Sequence, residues 1–206
     1  MRMPDTPTRE AVVPRLRGRF GREYVFVRSC GSTQRLLPAD ADEGAVAVAD
    51  EQTEGRGRLG RRWDAPAGTS ILCSVQLRPR VPASRYPELT LVGAEACAEA
   101  ITAVTGLAPM LKSPNDVLIG GRKVAGVLGE ALDGRVVLGI GINVNVPERE
   151  LPVDVRIPAT SLLVESGSPV DRAALLVELL AALEARYELW ISRATADSRS
   201  PPDPSR

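Results

Sequence analysis

Histidine is absent from this 206-residue chain, lysine occurs twice, cysteine three times, and aromatic residues make up only 3%. Without histidine there is no Ser/His or Cys/His nucleophile pair, no imidazole acid or base, and almost no route to a zinc site. Cys30, Cys73 and Cys97 are odd in number and widely spaced, which fits buried thiols in a reducing compartment better than disulfides or a metal centre. So few aromatics leave little on which to stack bases, so a nucleic-acid binder is a weak reading. No apolar run approaches the roughly 18 to 20 residues of a membrane span, and the opening MRMPDTPTRE has no signal-peptide core. A cytoplasmic enzyme or binding protein, with no membrane and no DNA partner, is what these absences leave.

What is present narrows the field. The 26 basic residues balance 26 acidic ones, so partners must be recognised locally rather than by overall charge. The 44% apolar and 25% charged content is that of one compact globular unit. Every basic residue except Lys112 and Lys123 is arginine. In a chain whose default cation is arginine, two lysines mark positions that want a compact ammonium, chance placement being the alternative.

Residues 1–22 are rich in Pro and Arg with little periodicity and read as a loosely packed N-terminal extension. Its Arg15, Arg17, Arg19 and Arg22 form either a solvated arm or a set of phosphate contacts. The domain proper is expected over 23–191 and a disordered tail over 192–206. Strands are predicted at 23–29, 44–50 and 69–77, with a short helix near Thr33 to Pro38. A helix follows over 87–106, carrying Leu89, Val92, Ala96, Ala100 and Val104 on one stripe with Gly106 as its stop. Hairpin turns are predicted at Gly120-Gly121 and Asp133-Gly134. A last helix begins near Asp171 with Leu176, Leu179, Leu180, Leu183, Tyr187 and Trp190 in a stripe. Together these give an α+β domain, a mixed and largely antiparallel sheet with its helices mainly on one face.

Three segments carry chemistry. EQTEGRGRLGRRWD, 51–64, interleaves Gly55, Gly57 and Gly60 with Arg56, Arg58, Arg61 and Arg62. Glycine lets backbone approach an anion and guanidinium forks bind phosphate or carboxylate, so the loop reads as a flexible anion clamp, a solvated hairpin or nucleic-acid patch being the alternative. In LKSPNDVLIGGRKVAGVLGE, Lys112 and Lys123 flank a turn at Pro114, Asn115 and Asp116. There Gly126 and Gly129 are expected to bare one strand face, with close sheet packing as the alternative. In VLGIGINVN, Gly139 and Gly141 repeat the pattern and Asn143 and Asn145 offer amides.

In this order, GRGRLGRRW, KSPNDVLIGGRKVAGVLGE and GIGINVN closely resemble the biotin protein ligase family. The likeness extends to Ser32-Thr33-Gln34, Gln52 and TSLLVESGSPVDR, and spans about residues 23–190. It implies the family's catalytic fold, which is like that of class II aminoacyl-tRNA synthetases, and a two-step ligation. Biotin attacks ATP, with Mg²⁺ present, to give biotinyl-5′-AMP and pyrophosphate; a lysine of the biotin carboxyl carrier protein of acetyl-CoA carboxylase then takes the acyl group. Carried over by the resemblance, Lys123, Arg56 and Arg58 are catalytic. Ser32, Thr33, Gln34, Gln52, Gly57, Gly126 and Gly139 join those three around biotin. Lys112, Asn115, Asn143 and Trp63 join Arg58 around the nucleotide, and no residue is assigned to a metal.

The sequence departs from the family at Ser113, where tryptophan is usual, and at Gln34, where asparagine is usual. Residues 1–22 are too few for a DNA-binding helix-turn-helix, and the end soon after the last helix, where many members continue into a small C-terminal β domain, leads to the expectation of a truncated or minimal ligase. The resemblance also allows a homodimer. A lipoate or octanoate ligase of the same superfamily, and a non-catalytic biotin- or adenylate-binding module, are the alternative readings.

Overall fold

The computed structural model describes residues 5–153 and 155–197. Seven strands form one sheet: β1 (Tyr24–Cys30), β2 (Val46–Gln52), β3 (Ser70–Leu77), β4 (Met110–Lys112), β5 (Asp116–Ile119), β6 (Arg122–Leu132) and β7 (Arg135–Asn143). Their spatial order is β1-β2-β3-β7-β6-β5-β4, with β1 and β2 parallel and every other pair antiparallel. The hairpins turn at Gly120-Gly121 and Asp133-Gly134, where all four residues have positive φ, the geometry that two-residue turns between right-twisted strands require. Helices α2 (Leu89–Thr105) and α4 (Arg172–Asp197) cover one face, with short helices α1 (Arg9–Val12) and α3 (Leu162–Ser166) at the margins. The expected α+β class, mixed sheet and helix placement are all found.

Register explains the packing. Ile71, Cys73, Val75 and Leu77 of β3, with Val136, Leu138, Ile140 and Ile142 of β7, point toward the helices and are buried. Helix α2 lies so close that a Cβ on Gly93 would come within 2.9 Å of Leu138 and Val127 side chains. Gly106 ends that helix in the left-handed conformation, its N–H donating to Thr102 O at 2.9 Å.

Two expectations about the ends are corrected. The N-terminal lead-in is not loosely packed: Val12, Leu16 and Phe20 enter the main core, and the Phe20 ring lies 5.8 Å from that of Tyr187. Four-residue spacing of apolar side chains was hidden among the arginines. Three of those arginines are tied to the protein itself: Arg17 pairs with Glu178, Arg19 with Glu43, Glu184 and Glu188, and Arg22 donates to the carbonyls of Gly18 and Leu16, while Arg15 is exposed. At the other end, 192–197 continues α4 rather than beginning a disordered tail, with Ala194 buried. The rest of that tail, 198–206, lies outside the described residues. No helix among the described residues is long and apolar enough to cross a membrane.

Candidate functional site

The sheet face turned away from α2 and α4 is built differently. Strand pairing aligns Leu72, Gly141, Gly126 and Asp116 in one cross-strand row and Ser74, Gly139 and Leu128 in the next. The adjacent glycines leave a floor without side chains. Gly129 is not part of it, contrary to expectation: three residues from Gly126 on an alternating strand, it faces the helices, where a Cβ would meet Thr90, Leu138 and Val136.

Lys123 reaches this floor by an irregularity. Strict alternation would aim it at the helices with Ala125 and Val127. The register between β5 and β6 shifts at Val117/Leu118, so that Lys123 pairs with Leu118 while Ala125 pairs with Val117. This bulge turns the ammonium onto the glycine face, where a Cβ on Gly126 would lie 3.1 Å from Nζ. The backbone there is fixed from outside the sheet: Lys123 N–H donates to Pro158 O at 2.7 Å, and Thr160 N–H donates to Lys123 O at 2.9 Å. Nζ sits 2.6 Å from Asp116 Oδ1, an ion pair that is poorly aligned for a hydrogen bond, and 5.4 Å from the Trp63 ring centroid.

Loop 53–69 folds over the floor as a small hairpin. Gly57 N–H donates to Arg61 O at 2.7 Å and Trp63 N–H to Gly55 O at 3.0 Å, with a single 3-10 turn, Arg58–Gly60, at the tip. The sequence suggested a free, flexible loop; here it is latched. Arg56 Nη2 donates to Glu130 Oε2 at 3.0 Å and Arg58 Nη1 to Asn115 Oδ1 at 3.1 Å. Asn115 is itself braced, its Nδ2 donating to Val127 O. At the loop's far end the Trp63 indole lies on the glycine row, close enough that a Cβ on Gly141 would fall 2.5 Å from it. Its Nε1 is buried without an acceptor.

The polar wall comes from the turn Thr33–Arg35 and the end of β2. Gln52 Oε1 accepts from Thr33 N–H at 2.7 Å and from Thr33 Oγ1 at 3.1 Å, while Thr33 Oγ1 and Ser74 Oγ share a 2.8 Å bond. That fixes the Gln52 amide with its nitrogen unspent, and the Ser32 hydroxyl likewise has no partner among the described residues. Gln34 closes the opposite end, its amide nitrogen donating to Leu128 O and Val137 O above Gly139.

These groups enclose a cavity of about 50 Å³. The structure brings Ser32, Thr33, Gln34, Gln52, Arg56, Gly57, Arg58, Trp63, Asn115, Lys123, Gly126 and Gly139 onto its wall. Two expected residues stay apart. Lys112 stands exposed on edge strand β4, two strands from the glycine floor. Asn143 is buried and donates from Nδ2 to Thr160 O at 3.0 Å, tying β7 to the segment before α3 instead of facing the cavity. Ser113 lies in an exposed turn, off the wall. Ser74, Glu130 and the aliphatic Leu128 were not anticipated; strand register was their only signal. The nearby thiol of Cys73 points into the core, and burial pushes it up to about 12, so it is no nucleophile at neutral pH.

The chain is similar in sequence and fold to known proteins. The sequence profile described as the biotin/lipoate A/B protein ligase family matches residues 27–146. The bifunctional ligase/repressor BirA of Bacillus spizizenii is 40% identical over 182 residues, covering 84% of this chain and 56% of that protein. The biotin--[acetyl-CoA-carboxylase] ligase of Mycobacterium tuberculosis is 39% identical over 178 residues, covering 82% and 65% respectively. The chain thus spans between about half and two thirds of the length of these relatives. A biotin protein ligase from Aquifex aeolicus, solved in complex with biotin and ATP, superposes with a TM-score of 0.74 at 32% identity, covering 84% of this chain and 73% of that one.

Proposed function

The chain belongs to the biotin/lipoate A/B protein ligase family, and from that premise we propose that it joins biotin to ATP as biotinyl-5′-AMP and passes the acyl group to a lysine of biotin carboxyl carrier protein, the acetyl-CoA carboxylase subunit. One observation carries the reading. Arg56, Arg58 and Lys123 converge with Thr33 and Gln52 on a single cavity floored by glycine.

The chemistry suits a chain without histidine. In the first step a biotin carboxylate oxygen attacks the α-phosphorus and pyrophosphate leaves; no proton moves, so the protein's task is positioning and charge stabilisation. Lys123 supplies a compact ammonium between carboxylate and phosphate, exchanging its contact with Asp116 for the ligand. Arg56 and Arg58 exchange Glu130 and Asn115 for ligand oxygens in the same way, which couples loop position to occupancy. Ser32, Thr33 and the free amide nitrogen of Gln52 face the ring and side chain of biotin. Ligand pockets usually measure roughly 300 to 1,000 Å³, so Trp63 and Gln34 must move off the floor as biotin enters. In the second step the carrier's neutral amine attacks the acyl carbon, the acyl–oxygen bond breaks, AMP leaves with the bonding electron pair, and the nitrogen's surplus proton passes to solvent.

Magnesium is read as travelling with ATP. The carboxylates beside the cavity, Asp116 and Glu130, are each paired with a cation, and no group of three or more Asp, Glu or Cys among the described residues could hold a metal. The described residues do not form a dedicated Mg²⁺ cage. The reading needs no DNA partner and no second copy of the chain, and a cytoplasmic setting suits its carrier and nucleotide.

Biotin-dependent exchange of labelled pyrophosphate into ATP, with lipoate as the control acid, is the test. Exchange with biotin alone supports the reading. Exchange only with lipoate transfers the chain to the lipoate members, and biotin retention without exchange makes it a binding module.

A further inference from the structure

Arg172 is the largest side chain in the fully buried set, with a side-chain exposure of only 2%. Buried arginine is rare unless paired, and here every nitrogen is committed. Nη1 donates to Asp50 Oδ1 at 2.8 Å and to Ser70 O at 3.3 Å; Nε and Nη2 donate to the two carboxylate oxygens of Asp5, each at 3.3 Å. Burying such a cluster costs desolvation that its attraction scarcely recovers, so stability alone is a weak reason for it.

Its partners suggest a different reason. Asp50 lies in β2 just before loop 53–69, and Ser70 is the first residue of β3 just after it. One guanidinium therefore clasps both stems of the loop that carries Arg56, Arg58 and Trp63. The clasp is reinforced on each side. Gly68 N–H donates to Asp50 O at 2.9 Å, and Asn145 N–H donates to Thr69 O at 2.6 Å. The Asn145 side chain in turn donates to Asp5 Oδ2 and Val170 O, both at 2.9 Å, while accepting from Val170 N–H. Asp50 has the strand parity of Val46 and Val48, which point to the helices, so Arg172 works from beneath the sheet and is absent from the cavity wall.

We propose that Arg172 is a positioning residue for the ligand-covering loop, holding its two stems at fixed separation while Asp5 of the N-terminal arm neutralises and orients the guanidinium. A fork with two faces suits that task; the three-way bridge needs planar, fixed donors that an ammonium does not offer. The proposal rests on the ligase reading for its kinetic consequence and on geometry alone for its effect on the loop.

The test compares Arg172→Lys and Asp50→Asn with Ile101→Val, a truncation in the α2 core remote from the loop. The clasp variants should be cut by trypsin after Arg56, Arg58, Arg61 and Arg62 about tenfold faster than the parent, and the KM for biotin in pyrophosphate exchange should rise by a similar factor with a smaller change in kcat. Ile101→Val, at an equal loss of melting temperature, should change neither. Asp5→Asn leaves the Arg172–Asp50–Ser70 bridge and should fall between Asp50→Asn and the parent, which keeps the test intact if Arg172→Lys does not fold. Clasp variants that melt lower yet are cut at the parental rate would reduce Arg172 to a core residue and overturn the proposal. Failure of the parent protein to catalyse exchange would remove the ligase reading instead, leaving the cutting comparison to decide the clasp.

Discussion

The two faces of the sheet follow opposite rules. Toward α2 and α4, β3 and β7 present large apolar side chains, and the space beside Gly93 is filled by Leu138 and Val127. On the far side the same strands present Gly139, Gly141 and Ser74, and β6 adds Gly126. The first face gains free energy by filling space, about 25 cal/mol per Å² of apolar surface removed from water. The second forgoes that gain, and its floor is covered by Gln34, Lys123 and Trp63, whose indole N–H has no acceptor. Under the ligase reading, this floor beside Arg56, Arg58 and Lys123 is where the ligand lies. Stability and function should therefore separate by face.

The sharpest break is Lys123→Ala, which should lower biotin-dependent pyrophosphate exchange by about 10² to 10³, the scale of losing one preorganised charge contact, while the melting temperature stays near the parent's. Normal exchange in that variant would remove Lys123 from the site. Gly141→Val should follow at about 100-fold, since its side chain would displace the Trp63 indole, with small effect on folding. Gly129→Ala, on the helix face, should leave exchange intact, and equal losses at the two glycines would erase the distinction between faces. In the reverse direction, Leu138→Ala should destabilise by about 2 to 5 kcal/mol in urea unfolding, with exchange per folded molecule unchanged.

The smallest effect is a pH dependence on the helix side. The Arg85 hydrogen bond holds the Glu88 carboxyl below its usual 4.5, helped by the bond donated from Trp190 Nε1. A lowered folded-state value means the contribution is present above pH 4.5 and disappears as pH falls through that lowered value. Melting followed from pH 7 to 3 should show Glu88→Gln losing less stability in acid than the parent. Exchange at neutral pH should be unaffected by it.

Legibility in the sequence followed how local each cause was. The turns at Gly120-Gly121 and Asp133-Gly134, the stop at Gly106 and the stripe from Leu176 to Trp190 are set by neighbours a few residues away, and all are found where expected. Gly129 was misassigned because its face depends on alternation counted from a partner strand. The N-terminal arm was misread because its anchors, Glu178, Glu184 and Glu188, lie far along the chain. Lys112 and Asn143 carried the right chemistry for a nucleotide site, but one stands on the edge strand and the other is spent on Thr160 O.

The amino-acid order by itself determined the longer strands, the two long helices, the hairpin turns and the glycine-arginine loop. Those follow from side-chain chemistry and short-range periodicity. Only the tertiary structure decided that a bulge in β5 and β6 aims Lys123 at the glycine floor, that Trp63 and Gln34 cover it, and that Arg172 binds the loop's stems from the opposite side. Each of these is a relation between strands or segments distant in sequence, fixed by register and by the need to pair buried charge, and none of the three has a local signature.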